Sequence, residues 1–394
     1  MPELLALDLP PGPPFVEAMC SAWESGDAVL PVDPRLPRPA VLRLFEALQP
    51  ARVVSSEGTR ALPGGGMPTE DGDALVVATS GTTGEPKGVV LTREAVHASA
   101  VATSERLSVD PRADVWLACL PFAHIGGLSV ITRALETGTT YRIHERFEAA
   151  AVEREARAGA TMVSLVATAL GRTDTSSYRV VLLGGAAPPS GLPDNVVTTY
   201  GMTETGSGLV YDGVPVEDAE VRVSDGTGSS DGSAGSDGSA GSAGSAGSAG
   251  EILVRGPMLL RAYRDGHDPK LDGGWLPTGD AGSLGSDGRL VVHGRMAEVI
   301  MTGGEKVWPV AVERVLGALP GVAEVAVWKR PDAEWGERVV AWVVTADPSA
   351  PPAMGELRDA VAAELAPWAA PKEVVLVTEL PRTSSGKVRR TDLT

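Results

Sequence analysis

Short apolar runs bounded by glycine or proline alternate along the chain with stretches in which apolar residues recur every three or four positions. The short runs include residues 74–78, 116–120 and 178–183, and the longer periodic stretches include 125–135 and 149–158. Short apolar runs are typical of strands, and a period near 3.6 is typical of amphipathic helices. Their alternation predicts an α/β fold with layered sheets and helices.

The pattern changes after Gly294. Strand-like runs at 299–301, 322–328 and 339–344 are combined with amphipathic stretches at 310–319 and 355–365. This predicts two domains, a large N-terminal one over residues 1–294 and a small α+β one over 295–394.

Residues 229–250 contain only Ser, Gly, Ala and Asp, in a near-perfect Ser-Ala-Gly repeat. Such a segment cannot bury a core, so it predicts a disordered loop. A flexible segment of that length spans about 25 Å on average. Strands at 221–223 and 251–254 can therefore still be neighbours in one sheet.

Composition and charge narrow the class of protein. The 394 residues carry a net charge of −17, which argues against binding to nucleic acid or to an anionic membrane. Two cysteines are too few for a disulfide framework, and no apolar run is long enough to span a bilayer. We expect a soluble cytoplasmic protein without membrane insertion. The sequence leaves open whether it forms a homodimer.

A glycine- and hydroxyl-rich segment directly follows the apolar run 74–78 and predicts a phosphate-binding loop. Glycine lets the backbone approach a polyanion, hydroxyls donate hydrogen bonds and a lysine supplies positive charge. The spacing is not that of a Walker A loop, because Lys87 is followed by Gly88. The residues predicted to hold the phosphates are Thr79, Ser80, Gly81, Thr82, Thr83, Gly84 and Lys87.

Four further segments follow this loop in order. They are Tyr200 to Thr205, Thr278-Gly279-Asp280, Gly294-Arg295 with Gly303 to Lys306, and Pro381 to Lys387. With the loop, they resemble the motifs of the acyl-adenylate-forming enzymes, in order and rough spacing, over about residues 75–389. That resemblance implies a carboxylic acid substrate, ATP with Mg²⁺, and coenzyme A as acceptor.

The resemblance implies a role for each matching residue. Lys387 would bridge the carboxylate and the α-phosphate and stabilise the charge that builds between them. Thr203 would donate to the α-phosphate, and Glu204 would hold Mg²⁺ against the phosphates. Tyr200, beside Gly201, would stack on adenine, and Asp280 would accept both ribose hydroxyls. Arg295 would join it, with a plain ion pair at the domain boundary as the alternative. Room for the base and the acyl group would come from Gly184, Gly185 and Ala186, for which a plain strand-to-helix turn is the alternative.

In this family the small domain rotates after adenylation and presents a Gly-Gly-Glu strand to the incoming thiol. The resemblance implies that role for Gly303, Gly304 and Glu305. One position departs from the family, because Ala297 stands where the pivot usually carries Asp or Lys. The balance between the two orientations is therefore open.

The segments 22–33 and 120–133 together most resemble the o-succinylbenzoate–CoA ligases of menaquinone synthesis, particularly their short actinobacterial forms. The second segment supplies the candidate acid-binding residues. His124 and Gly126 would line the acyl pocket, with a packed core histidine as the alternative for His124. Arg133 could pair with a second carboxylate of the acid, or be a charge on a helix surface.

Three other functions remain open from the sequence. Another aryl- or acyl-CoA ligase shares every motif, and so does an adenylation enzyme that loads a carrier protein. A non-catalytic sensor of acyl-AMP is expected to have lost Lys387 or Glu204, and both are present.

Overall fold

A computed structural model describes residues 1–80, 86–189, 191–224, 249–382 and 388–393. Its α-helices are α1 (Pro13–Glu24), α2 (Arg38–Leu48), α3 (Arg93–Arg106), α4 (Ile125–Thr137), α5 (Ala149–Arg157), α6 (Ala167–Leu170), α7 (Pro309–Gly317) and α8 (Met354–Glu364). Short 3₁₀ turns lie at Thr203–Thr205, Asp272–Gly274, Met296–Glu298, Pro367–Ala369 and Arg390–Asp392.

The strands of the first half are β1 (Leu4–Asp8), β2 (Ala28–Pro31), β3 (Arg52–Ser55), β4 (Gly58–Ala61), β5 (Asp73–Ser80), β6 (Pro86–Thr92), β7 (Val115–Ala118), β8 (Thr140–Ile143), β9 (Met162–Leu165), β10 (Val180–Leu183), β11 (Val196–Met202), β12 (Ser207–Tyr211) and β13 (Val214–Pro215). The strands of the second half are β14 (Glu220–Val223), β15 (Gly250–Arg255), β16 (Ala262–Tyr263), β17 (Leu276–Leu284), β18 (Leu290–Arg295), β19 (Ile300–Thr302), β20 (Glu305–Val307), β21 (Val322–Asp332), β22 (Gly336–Thr345) and β23 (Glu373–Leu376).

Two seven-stranded sheets and the helices against them form the larger part of the protein. The strand orders are β16-β6-β5-β2-β1-β3-β4 and β13-β12-β11-β10-β9-β7-β8. The inner strands are parallel and apolar, as expected where both faces of a sheet are covered. β5 and β6 form an antiparallel hairpin that brings Thr79 opposite Lys87. The predicted α/β fold is confirmed.

A four-stranded antiparallel sheet, β14-β15-β17-β18, follows. The strands on either side of the Ser-Ala-Gly repeat pair with each other, with Val223 opposite Ile252. Residues 229–248 of the predicted disordered loop lie outside the described residues. Its last residue, Gly250, is the first of β15, so the strand begins earlier than the composition indicated, because backbone pairing does not need a side chain.

The last sheet has five strands, β20-β19-β22-β21 with β23 on β22, and α7 and α8 cover it. Its core is separate from the large one and includes Ile300, Val312, Val339 and Leu357. The boundary at residue 294 stays a prediction. Of the helices in the described ranges, none has the length and apolarity needed to cross a bilayer.

Candidate active site

Three predicted nucleotide-binding side chains meet where β11 faces β17 and β18. The Tyr200 hydroxyl donates to Asp280 Oδ2 at 2.8 Å. Arg295 Nε lies 3.0 Å from the other oxygen, Oδ1, because Asp280 and Arg295 are directly opposite in the β17–β18 ladder. The Asp280 backbone N–H donates to Thr278 Oγ1 at 3.1 Å, within β17.

Burial keeps the Tyr200 hydroxyl neutral. Asp280 is only 7% exposed, whereas half of the Arg295 side chain is exposed. Burial, and then the negative charge of Asp280, raise the pKa of Tyr200 well above its ordinary value. Tyr200 is therefore a neutral phenol that donates a hydrogen bond, and its ring is held in one place by that bond.

Glu204 lies in the 3₁₀ turn that ends β11. The Met202 backbone N–H donates to Thr205 Oγ1 at 2.9 Å, which closes the turn around Thr203 and Glu204. The Tyr263 hydroxyl donates to Glu204 Oε1 at 2.9 Å. Burial, and then the charge of Glu204, raise the pKa of Tyr263, so this phenol is also neutral.

The phosphate loop is described only at its two ends. Thr79 Oγ1 donates to the Lys87 carbonyl at 3.4 Å across the β5–β6 hairpin. Lys87 Nζ lies 5.3 Å from the centroid of the Tyr263 ring, within the range of a cation–π contact. Of the other predicted loop residues, Gly81, Thr82, Thr83 and Gly84 lie outside the described residues, and Ser80 is described by its backbone alone, opposite Pro86.

Two of the predicted glycines are required by the backbone around the site. A Cβ at Gly201 would collide with the Ser207 carbonyl oxygen on the paired strand β12. Gly185, two residues after the end of β10, has φ +83°, in the left-handed region that favours glycine. Gly184 and Ala186 flank it, so the predicted segment forms the turn that leaves the carboxyl end of β10.

Arg133, on α4, is one of the largest fully buried side chains of the protein, at 2% exposure. Its Nη2 donates to Ser207 Oγ at 3.1 Å, and its guanidinium lies 4.9 Å from the centroid of the Trp116 ring. Its other nitrogens, Nε and Nη1, have no hydrogen-bond partner among the described residues. Burial lowers the pKa of Arg133 from its ordinary value. The alternative of a helix-surface charge is wrong.

Ser207 connects Arg133 to the rest of the site. Ser207 pairs with Met202 in the β11–β12 ladder. Through Ser207, Arg133 therefore contacts the strand next to the segment that carries Tyr200 and Glu204. His124 is the residue that precedes the first turn of α4, and Gly126 lies in that turn, where a Cβ would meet nothing within 4 Å. Two of the three predicted acid-binding residues, Gly126 and Arg133, thus lie on α4, and His124 directly precedes it.

The predicted thiol-side residues are in the small sheet. Gly303 and Gly304 form the turn between β19 and β20, and Glu305 begins β20. Ala297 lies in the 3₁₀ turn Met296–Glu298 that follows Arg295. Lys387 lies outside the described residues.

Sequence reasoning missed three residues of this site: Tyr263, Ser207 and Trp116. Ser207 could have been found, since it lies only three residues after Glu204. Tyr263 lies 59 residues from Glu204, and Trp116 belongs to an apolar strand-like run, so neither position carries a local pattern that points to the site.

Comparisons with known proteins agree with this geometry. The family described as AMP-binding enzyme matches residues 59–264, and the AMP-binding enzyme C-terminal domain matches residues 311–387. A probable 2-succinylbenzoate–CoA ligase from Mycobacterium tuberculosis is 36% identical over 383 residues, covering 90% of this chain and 93% of that protein. The 2-succinylbenzoate–CoA ligase of Enterococcus faecalis is 33% identical, over 80% of this chain and 68% of that protein.

A solved structure is similar over the whole chain. The o-succinylbenzoate CoA synthetase of Bacillus subtilis, in complex with its acyl-adenylate intermediate, matches with a TM-score of 0.83 and 28% identity, covering 100% of this chain and 88% of that one. These matches confirm the resemblance found in the sequence.

Proposed function

The chain belongs to the AMP-binding enzyme family, and from that premise we propose that it is an AMP-forming acid–CoA ligase whose acid is 2-succinylbenzoate. The observation that carries the proposal is the hydrogen bond from Tyr200 to buried Asp280. Tyr200 lies four residues before Glu204 in the same segment. A neutral aromatic ring fixed beside a carboxylate suits an adenosine, and a second carboxylate nearby suits the cation that accompanies its phosphates.

Glu204 fits a magnesium ion that is bound mainly by a nucleotide. Mg²⁺ takes one or two protein carboxylates together with phosphate oxygens and water. In the described ranges, no group of three or more His, Cys, Asp or Glu side chains is placed to hold a metal ion by itself. A single carboxylate, that of Glu204 held by Tyr263, matches Mg²⁺ binding through one protein carboxylate and the phosphates. Thr203 lies next to it and would donate to the α-phosphate.

The reaction that follows has two steps. A carboxylate oxygen of the acid bonds to the α-phosphorus of ATP while the bond from that phosphorus to the bridging oxygen breaks, which releases pyrophosphate. The coenzyme A thiolate then attacks the acyl carbon, and AMP leaves. In the first step Lys87 provides positive charge near the departing pyrophosphate and Lys387 near the α-phosphate. In the second step Gly303, Gly304 and Glu305 border the path of the thiol.

Arg133 supports an acid with two carboxylates. Removing a charge from water costs free energy unless the charge is paired. Arg133 is buried, and within the described residues it forms no ion pair with a carboxylate. 2-Succinylbenzoate offers one carboxylate for activation and a second for this guanidinium. His124 and Gly126, at the start of the same helix, would line the path between them.

The relatives' names and the composition support the acceptor, the location and the choice of partners. Coenzyme A is the acceptor that matches the relatives' names. The net charge of −17 and the two free cysteines support a cytoplasmic enzyme that acts on small molecules and does not bind nucleic acid.

The order of the two steps provides the test. The protein is mixed with 2-succinylbenzoate and MgATP without coenzyme A, and the bound products are analysed by mass spectrometry. We expect about one acyl-adenylate per protein, converted to thioester and AMP when coenzyme A is added. Pyrophosphate release that yields no acyl-adenylate would contradict the proposal. Transfer to a carrier protein's phosphopantetheine thiol in preference to coenzyme A would overturn the acceptor.

A further inference from the structure

We propose that Tyr263 is a positioning residue that orients Glu204 for Mg²⁺ and supports Lys87 beside the nucleotide phosphates. The inference deepens the proposed function and rests on it. One aromatic side chain contacts both groups: its hydroxyl donates to Glu204 Oε1 at 2.9 Å, and its ring lies 5.3 Å from Lys87 Nζ. Glu204 follows a strand of one sheet and Lys87 lies in a strand of the other, so their relative position depends on what lies between them.

The backbone around Tyr263 is tied to both neighbours. The Leu260 N–H donates to the Glu204 carbonyl at 2.8 Å. The Arg264 N–H donates to the Gly88 carbonyl at 2.7 Å, and Tyr263 itself pairs with Val89 in the β16–β6 ladder. Strand β16 therefore bridges the Glu204 turn and the strand that follows the phosphate loop, and it places the phenol between them.

Three cationic side chains hold this bridge in place. Arg261 forms a bidentate ion pair with buried Asp73, at 2.8 and 2.9 Å. Lys270 Nζ donates to the carbonyls of Leu260 and Arg261, at 2.9 and 2.8 Å. Arg264 is buried and donates to three backbone carbonyls, those of Leu48, Met67 and Pro68. A strand fixed on both sides gives the Tyr263 hydroxyl little freedom to move away from Glu204.

The two contacts of Tyr263 have different chemistry. The hydroxyl occupies a lone pair of only one of the two Glu204 oxygens, which restrains that oxygen and leaves the other lone pairs for a metal ion. The ring face attracts the Lys87 ammonium by its quadrupole, with no need for the hydroxyl. Residues that orient a metal-binding carboxylate through a hydrogen bond are typically worth about 10- to 100-fold in metal affinity.

Substitutions can separate these contacts. Tyr263→Phe removes the hydroxyl and keeps the ring, and Tyr263→Leu removes both. Tyr178→Phe is a matched control, because its hydroxyl donates to the Val152 carbonyl at 2.7 Å in a separate core. ATP binding to the full chain is measured by calorimetry without the acid, once with Mg²⁺ and once with EDTA, so that no turnover contributes.

For Tyr263→Phe we expect the gain in ATP affinity on adding Mg²⁺ to fall about tenfold or more, with the affinity in EDTA changed less than twofold. Tyr263→Leu should in addition weaken binding in EDTA about threefold, through Lys87, and Tyr178→Phe should match the wild type. A Tyr263→Phe protein with the full Mg²⁺-dependent gain would overturn the inference alone. A wild-type protein whose ATP affinity does not respond to Mg²⁺ would instead overturn the proposed function of Glu204.

Discussion

Replacing Arg133 by methionine should stabilise the protein while removing its selectivity for a two-carboxylate acid. Arg133 is 2% exposed, donates one hydrogen bond to Ser207, and leaves Nε and Nη1 without partners among the described residues. Methionine fills a similar volume and brings no charge. Residues that only stabilise a fold rarely give opposite effects on stability and on activity, so the sign of each change is informative.

The magnitude follows from what is lost and gained. Each unpaired buried N–H costs about 1–3 kcal/mol, and the hydrogen bond from the charged group to Ser207 contributes about 1.5–3 kcal/mol. The contact with the Trp116 ring adds about 0.5–2 kcal/mol. The two unpaired nitrogens together cost about 2–6 kcal/mol and the two lost contacts contribute about 2–5 kcal/mol, so these contributions nearly cancel. Removing the desolvation cost of the buried charge then makes the variant about 0 to 3 kcal/mol more stable, in line with other buried charges replaced by apolar residues. At about 2 °C per kcal/mol for a large domain, Tm should rise by up to about 6 °C.

The activity should change in the opposite direction. Removing one partner of a buried charge pair typically costs about 2–4 kcal/mol, which is about 30- to 1000-fold in kcat/KM for 2-succinylbenzoate. For benzoate, which has no second carboxylate, kcat/KM should change less than about threefold. Thermal unfolding and coupled AMP release measure the two effects. Arg106→Met is the control, since Arg106 also contacts β12, through the Tyr211 carbonyl, but from an exposed position.

Two results would refute this reasoning. A large loss of stability in Arg133→Met would show that the guanidinium is a structural element with partners of its own. An equal loss of activity toward both acids would show that Arg133 does not recognise the second carboxylate.

Two further predictions concern the nucleotide and the lysine loop. Asp280→Asn should raise KM for ATP about tenfold and leave KM for the acid unchanged, because an amide cannot accept both ribose hydroxyls as a carboxylate does. Steady-state kinetics measure this, with Asp287→Asn, a change in an exposed turn, as the control. An unchanged KM for ATP in Asp280→Asn would contradict the prediction. Lys387→Ala should reduce acyl-adenylate formation at least about 100-fold yet retain thioester formation from supplied acyl-adenylate, as rapid-quench assays of each step would show. Equal loss of both steps would contradict the assignment.

Local patterns predicted the elements well, and the reason is visible in particular cases. The apolar run 74–78 lies within β5, and the period of 125–135 matches α4, because burial of one face or one run sets both the sequence and the structure. The motif residues Tyr200, Asp280 and Arg295 were grouped from the sequence by resemblance, and their side chains are in contact.

Contacts between distant segments could not be predicted in the same way. Arg133 falls in an amphipathic helix, where a charged residue is usually on the surface. It is buried because α4 packs against α3, β7 and β12. Tyr263 looks like an ordinary strand residue. Its contact with Glu204 spans 59 residues of sequence and depends on how two sheets are arranged.

The acid preference of the wild-type protein tests the proposed function most directly. AMP release that depends on both ATP and coenzyme A is measured over a panel that includes 2-succinylbenzoate, benzoate and a fatty acid. We predict a kcat/KM for 2-succinylbenzoate at least about 100-fold above that for any acid with one carboxylate, which corresponds to about 2.7 kcal/mol. A clear preference for an acid that lacks the second carboxylate would contradict the roles we give to Arg133, His124 and Gly126.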